Sequence, residues 1–140
     1  MSKILKPAIF GMFDGLTSSL GVILALLAAP HALLLAALGV GVSGTVGMAA
    51  GEYLSESDNG FLASVVMGLA TGLGVLLPIL PFMFLSGVVP LILSILITIS
   101  TVAFISKLRV TETKSYKRAA LESFSILLVV GLSVWLGLHS

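Results

Sequence analysis

The sequence predicts an all-α membrane protein: a bundle of five transmembrane helices with the N-terminus cytoplasmic and the C-terminus outside. Three observations carry this. Of 140 residues, 58% are hydrophobic and only 9% are charged, against about 25% charged in soluble domains. No Asp, Glu, Lys or Arg occurs from Gly15 to Gly51, from Asn59 to Ser106, or after Glu122, and a bilayer-crossing helix needs about 20 apolar residues. The basic residues, finally, are sorted to one side of the bundle this implies. A soluble enzyme, a nucleic-acid binder and a disordered chain are excluded. There is no cysteine, which excludes disulfides, thiolate metal sites and Cys nucleophiles and leaves the redox compartment open.

The first span runs from about Pro7 to Ala29. Pro7 suits the first turn, where its missing N–H would be unpaired in any case. Pro30-His31 breaks the apolar run, and a second span follows over about Ala32 to Leu54, ending in Ser55-Glu56-Ser57-Asp58-Asn59-Gly60. The third covers about Phe61 to Leu80, with Pro78 and Pro81 kinking or ending it. After Ser86-Gly87, the fourth covers about Val88 to Ser106. The basic segment Lys107 to Arg118 separates it from the fifth, about Ala119 to Leu138. Five such helices use about 100 residues, so residues 1–140 form a single transmembrane domain with no room for another.

Five spans put the N-terminus, the 55–60 connection and the 107–118 connection on one side. That side holds Lys3, Lys6, Lys107, Arg109, Lys114, Lys117 and Arg118, which is every basic residue. The positive-inside rule makes it cytoplasmic. A four-span or six-span arrangement would divide this set, so charge supports the count independently of hydropathy. The N-terminal segment does not read as a cleavable signal, because Asp14 interrupts it and four further spans follow.

Small residues recur every fourth position: Gly39, Ser43, Gly47 and Gly51 in the second span, Gly68 and Gly72 in the third, Gly11 and Gly15 in the first. Such spacing lets helix backbones approach closely where lipid supplies no hydrophobic drive. Plain packing explains these positions; space for a pathway is the other reading. Gly11 and Gly15 are candidates for a contact between two copies.

Asp14 is the sharpest chemical signal. It lies about 10 Å into the helix counted from Pro7, and a lipid-facing carboxylate at such a position costs roughly 2.5 kcal/mol or more. Either the helix is set so that Asp14 reaches the interface, or the acid faces an internal, partly wet space and holds a cation or proton. The second span runs back toward the cytoplasm, so Met48 sits at similar depth, with Glu52 one turn nearer the cytoplasm and Glu56 continuing the face. Asp14, Met48, Glu52 and Glu56 can thus line a route inward. Carboxylate oxygens with a thioether favour a transition ion over Ca²⁺ or Mg²⁺. A lone Met also reads as core filler, and Glu52, Glu56 and Asp58 also read as solvated helix-end charges. Thr17 and Ser18 either orient the Asp14 carboxylate or bond to their own helix. His31 and His139 lie on the outer side, Arg118 and Glu122 are spaced as an exposed pair, and Tyr116 and Trp135 read as interfacial anchors.

The strings FGMFDGLTSSLG (Phe10 to Gly21) and GTVGMAAGEYLSESD (Gly44 to Asp58) resemble the vacuolar iron transporter family, with its F-G-x-x-D-G-L first helix and S-M-x-x-G-E-Y-x-S second-helix end. GLATGLGVLLPILPF (Gly68 to Phe82) and KRAALESFSILLVVGLSVWLG (Lys117 to Gly137) are similar to its third and last helices. The resemblance implies five membrane helices, a homodimer, and export of Fe²⁺, often Mn²⁺, from the cytoplasm in exchange for protons. It also implies a pathway between the first two helices at the dimer interface, with Asp14 and Met48 as ligands and Glu52 at the mouth. Two departures stand out. About six residues join the second and third spans, where well-studied members carry a Glu- and Met-rich metal-binding domain. Gly47 replaces the usual Ser before the Met.

The expectation is therefore a metal transporter of a prokaryotic plasma membrane. Its metal ligands are Asp14, Met48, Glu52 and Glu56, and its partners are lipid, a metal ion, protons and a second copy. No enzymatic activity, resident cofactor or nucleic-acid partner is expected. The alternative is a non-transporting scaffold or accessory subunit on the same fold, with Asp14 as a buried hydrogen-bonding residue.

Overall fold

In the computed structural model, which describes residues 4–55, 60–113 and 116–139, every regular element is a helix: α1 (Leu5–Ala25), α2 (Pro30–Leu54), α3 (Gly60–Phe84), α4 (Val89–Thr113) and α5 (Tyr116–Leu138). The first four are long and apolar enough to cross a membrane, and α5 contributes a shorter apolar stretch, Phe124–Leu136, among the described residues. At 1.5 Å per residue, 25 residues reach about 37 Å, more than the roughly 30 Å hydrocarbon layer requires.

The boundaries depart most from the sequence expectation in three places, besides starts two or three residues early in α1, α2 and α5. Helix α1 ends at Ala25, four residues short of the predicted end, and Leu26 closes it by donating its N–H to Val22. Helix α4 continues to Thr113, so most of the basic segment is helical and no long loop separates α4 from α5. Helix α3 does not stop at Leu80 but passes through both Pro78 and Pro81 to Phe84. Each proline removes one N–H from the ladder, at the carbonyls of Gly74 and Leu77, and hydroxyls of two neighbouring helices bond to other carbonyls close by. Ser19 of α1 donates to the Val75 carbonyl at 3.1 Å, and Ser94 of α4 donates to the Pro78 carbonyl. Both serines are fully buried.

Helix α3 is the hub. Helices α1 and α2 both lie chiefly against it and meet each other much less; α4 packs on α3, and α5 rests mainly on α1. Glycine sets these distances. A Cβ on Gly11 or Gly15 would collide with the carbonyl oxygens of Met67 and Thr71 respectively, and one on Gly74 would lie 2.5 Å from the Met12 carbonyl oxygen. Gly68 and Gly72 do the same between α3 and α2, both against Thr45. The Gly11/Gly15 spacing thus serves contact within one chain, and the expected use of that face between two copies is corrected. Around this contact lie two apolar clusters. Ile9 and Leu16 of α1 meet Ile105 of α4, and Ala37 of α2 meets Val75 and Ile79 of α3.

Helix α2 is the least covered. Only Leu33 and Ala37 are buried. Leu35, Val42 and Val46 are 74%, 69% and 64% exposed, and nothing lies within 4 Å of a Cβ built on Gly39, Gly47 or Gly51. An apolar cavity of about 320 Å³ opens between α2 and α3, lined by Gly41, Val42, Thr45, Gly72, Val75 and Ile79 among others.

Candidate metal-binding site

Asp14 is held in the middle of an unbroken helix, nine residues after Leu5, or about 14 Å along the axis. Its position is about 100° round α1 from Gly15, so the carboxylate stands on the flank of α1 rather than in the tight seam with α3. It is half-buried. Among the described residues no group donates a hydrogen bond to it and no cation pairs with it. The Thr17 hydroxyl, one candidate to orient the carboxylate, is occupied elsewhere: it donates to the Phe13 carbonyl at 3.0 Å and the Asp14 carbonyl at 3.1 Å. The Ser18 hydroxyl, one turn beyond Asp14, makes no such helix bond among the described residues.

Thr71 of α3 fixes the relative level of α1 and α2. A Cβ on Gly11 would lie 3.0 Å from its hydroxyl, and one on Gly44 would lie 3.1 Å from its methyl. Gly11 and Gly44 are therefore at nearly the same height. Met48 is one turn past Gly44, about 6 Å toward the end of the bundle that holds Leu5, while Asp14 is three residues past Gly11 the other way, so the two are offset by about 10 Å along the axis rather than set at the similar depth expected. Met48 is half-buried, and Glu52 is half-buried one turn further on the same face. Glu56 and Asp58 lie outside the described residues. No group of three or more His, Asp or Glu side chains gathers among the described residues. Asp14 is thus the carboxylate at this level among the described residues, with the thioethers of Met12, Met48 and Met67 on the three helices around it.

One neighbour of this region was invisible in the sequence pattern. Helix α5 runs beside α1, and Gly21 of α1 faces its Val129 and Ser133: a Cβ on Gly21 would sit 3.6 Å from the valine methyl and 3.3 Å from the serine hydroxyl. Gly21 is seven residues from Asp14, two turns on nearly the same face. The Asp14 flank of α1 therefore leads to α5. A single serine in an apolar run carries no signal; only the packing of α5 against α1 gives Ser133 a place.

The other polar groups are peripheral. His139 lies at the far end of α5, its ring stacked on Trp135 at 4.8 Å and its Nδ1 2.8 Å from the Trp135 carbonyl oxygen. His31 is exposed at the start of α2. Tyr53 and Phe61 meet edge-to-face, 6.1 Å apart, at the opposite end. The side chains of Arg118 and Glu122, spaced as a pair, lie outside the described ones, as does that of Tyr116.

Comparison with known proteins bears on this geometry. No curated protein and no solved structure matches the chain. Residues 5–60, which run from the start of α1 to the first residue of α3 and contain Asp14, Met48 and Glu52, match the family model described as the VIT family. That family implies metal-ion transport by an integral membrane protein. Over residues 5–60 the chain is similar to the VIT family.

Proposed function

We propose that the chain carries a divalent transition metal, Fe²⁺ or Mn²⁺, out of the cytoplasm in exchange for protons, and that it works as a homodimer. The observation that carries this reading is Asp14: a carboxylate at mid-helix, half-buried, with no donor or cation beside it among the described residues, inside the stretch that matches the VIT family. A carboxylate held there without a partner costs several times what an ordinary buried hydroxyl costs. A bound cation offsets that cost.

The order of the spans sorts all seven basic residues to one side, which supports a cytoplasmic assignment of that side under the positive-inside rule; the membrane proposed is a prokaryotic plasma membrane. Metal arriving there meets Glu52, with Glu56 and Asp58 following it in sequence, and passes to Asp14 and Met48. The Met48 thioether meets the soft side of a borderline cation first, and the Asp14 carboxylate, about two turns further along the axis, meets the hard side. A proton reaching Asp14 from the other side competes for the same oxygens, and one site that holds either ion but not both is the simplest basis for exchange.

One Asp and one Met leave a metal under-coordinated. A second copy placed along the open face of α2, whose small residues Gly39, Ser43, Gly47 and Gly51 have no neighbour in their own chain or lie exposed, doubles the ligand set. Small residues every fourth position allow two such helices to approach closely.

The test is thermal stabilisation of the purified protein by Mn²⁺ or by Fe²⁺ kept reduced. The wild type is expected to be stabilised in a concentration-dependent way, and Asp14→Asn to lose the response while keeping its melting temperature without metal. No stabilisation of the wild type by either ion would overturn the reading.

A further inference from the structure

Six polar side chains are buried in the described structure: Ser19, Ser64, Thr71, Ser94, Thr98 and Ser133. Five of them donate to a backbone carbonyl. Ser133, at 8% exposure, is the exception; among the described residues its hydroxyl has no protein partner. A serine in a membrane helix has a carbonyl of its own helix within reach by default. A buried hydroxyl without any partner costs about 1–3 kcal/mol, so a group in this state points to a ligand that is not protein.

The surroundings narrow what that ligand is. Ser133 faces Gly21, which carries no side chain to fill the space beside the hydroxyl. From Gly21 the same flank of α1 carries Ser18 three residues back and Asp14 seven back, in steps of about one turn. Ser18 too has no partner among the described residues. A divalent cation is excluded as the ligand at Ser133: neutral hydroxyl and carbonyl oxygens beside Val129 cannot replace its hydration. Water fits, since it needs two to four polar partners and little room.

We infer that the α1–α5 seam holds ordered water at Ser133 and Gly21, continued by Ser18, and that this row is the wet leg between Asp14 and the end of the bundle that holds His139. The inference rests on the proposed role of Asp14 for its purpose, but the presence of water does not. In the transport reading the two ions then use different helix pairs: metal approaches along α1 and α2, and protons along α1 and α5.

The chain's lack of cysteine permits a direct test. Single variants Ser133→Cys, Ile23→Cys and His139→Cys, purified and reconstituted in liposomes, are exposed to a small cationic methanethiosulfonate, which reacts with thiolate and therefore only where water reaches. Ile23 is 0% exposed and serves as the dry reference; His139 is exposed and serves as the open one. Ser133→Cys is expected to react at least tenfold faster than Ile23→Cys. A rate equal to that of Ile23→Cys would overturn the inference, whatever the metal does. Should Ser133→Cys fail to fold, Ser133→Ala decides: proton counter-flux reduced several-fold with Mn²⁺-dependent stabilisation retained supports the wet leg, and wild-type proton flux overturns it. Loss of the Mn²⁺ response in wild type would instead sink the metal site and leave the labelling result standing.

Discussion

Gly15 of α1 rests directly on the carbonyl oxygen of Thr71 in α3, so close that no side chain fits between them. This contact, repeated by Gly11 on Met67 and by Gly74 on Met12, brings α1 against the central helix and decides which flank of α1 remains for Asp14.

Gly15→Leu is therefore expected to destabilise the bundle severely, by about 3 kcal/mol or more, because the obstacle is backbone that cannot rotate away. Gly39→Ala on α2, which meets nothing within 4 Å, is expected to change the stability of the single-chain fold by less than about 0.5 kcal/mol. Unfolding of both variants in mild detergent, followed by circular dichroism, measures the contrast. Equal losses would refute the assignment of the two glycine rows to different roles.

Ser94→Ala removes the hydroxyl that donates to Pro78, and Ser19→Ala the one that donates to Val75. Interhelical hydrogen bonds in membranes are worth about 0.6 kcal/mol on average and up to about 1.7. Each variant is expected to lose about 1 kcal/mol, and the pair to lose about the sum, since the serines come from different helices. The same unfolding assay checks this.

If α2 is the face shared by two copies, Gly47→Cys should cross-link efficiently between chains under mild oxidation in membranes, because an exposed small position on a two-fold face meets its own copy. Leu96→Cys, 54% exposed on α4, should stay monomeric on the gel. The reverse pattern would move the interface to α4.

Competition between metal and proton at Asp14 has a definite sign. Lowering the pH fills the carboxylate with protons, so the apparent Mn²⁺ affinity should fall as pH falls and recover as it rises. Titration of the Mn²⁺-induced melting shift at several pH values follows this, with Glu52→Gln as a comparison that keeps the trend and weakens the affinity. An affinity independent of pH would remove proton competition from the mechanism.

The sequence was a good guide wherever charge and hydropathy alone determine the outcome. The three charge-free stretches define where helices run, and the prolines and glycines near Pro30 and Ser86-Gly87 mark real breaks. It failed at Leu80, because the residues that pack around α3 beside Pro78 and Pro81, Ser19 of α1 and Ser94 of α4 among them, are far away in the chain. It could not place α3 at the centre either, since an apolar helix in lipid reads the same whether it faces protein or acyl chains. Asp14 was legible because a charge in a membrane helix needs a reason. Ser133 was not, because the hydroxyls that bond to carbonyls and the one that does not look alike until the helices are packed.

The central claim is that Asp14 is where metal and proton meet. The most direct measurement is Mn²⁺ or Fe²⁺ flux in proteoliposomes with an imposed pH gradient, comparing wild type with Asp14→Ala and Met48→Ala. The account predicts flux that rises with the gradient in wild type, is abolished in Asp14→Ala and falls several-fold in Met48→Ala. Gradient-dependent flux that survives in Asp14→Ala would contradict it.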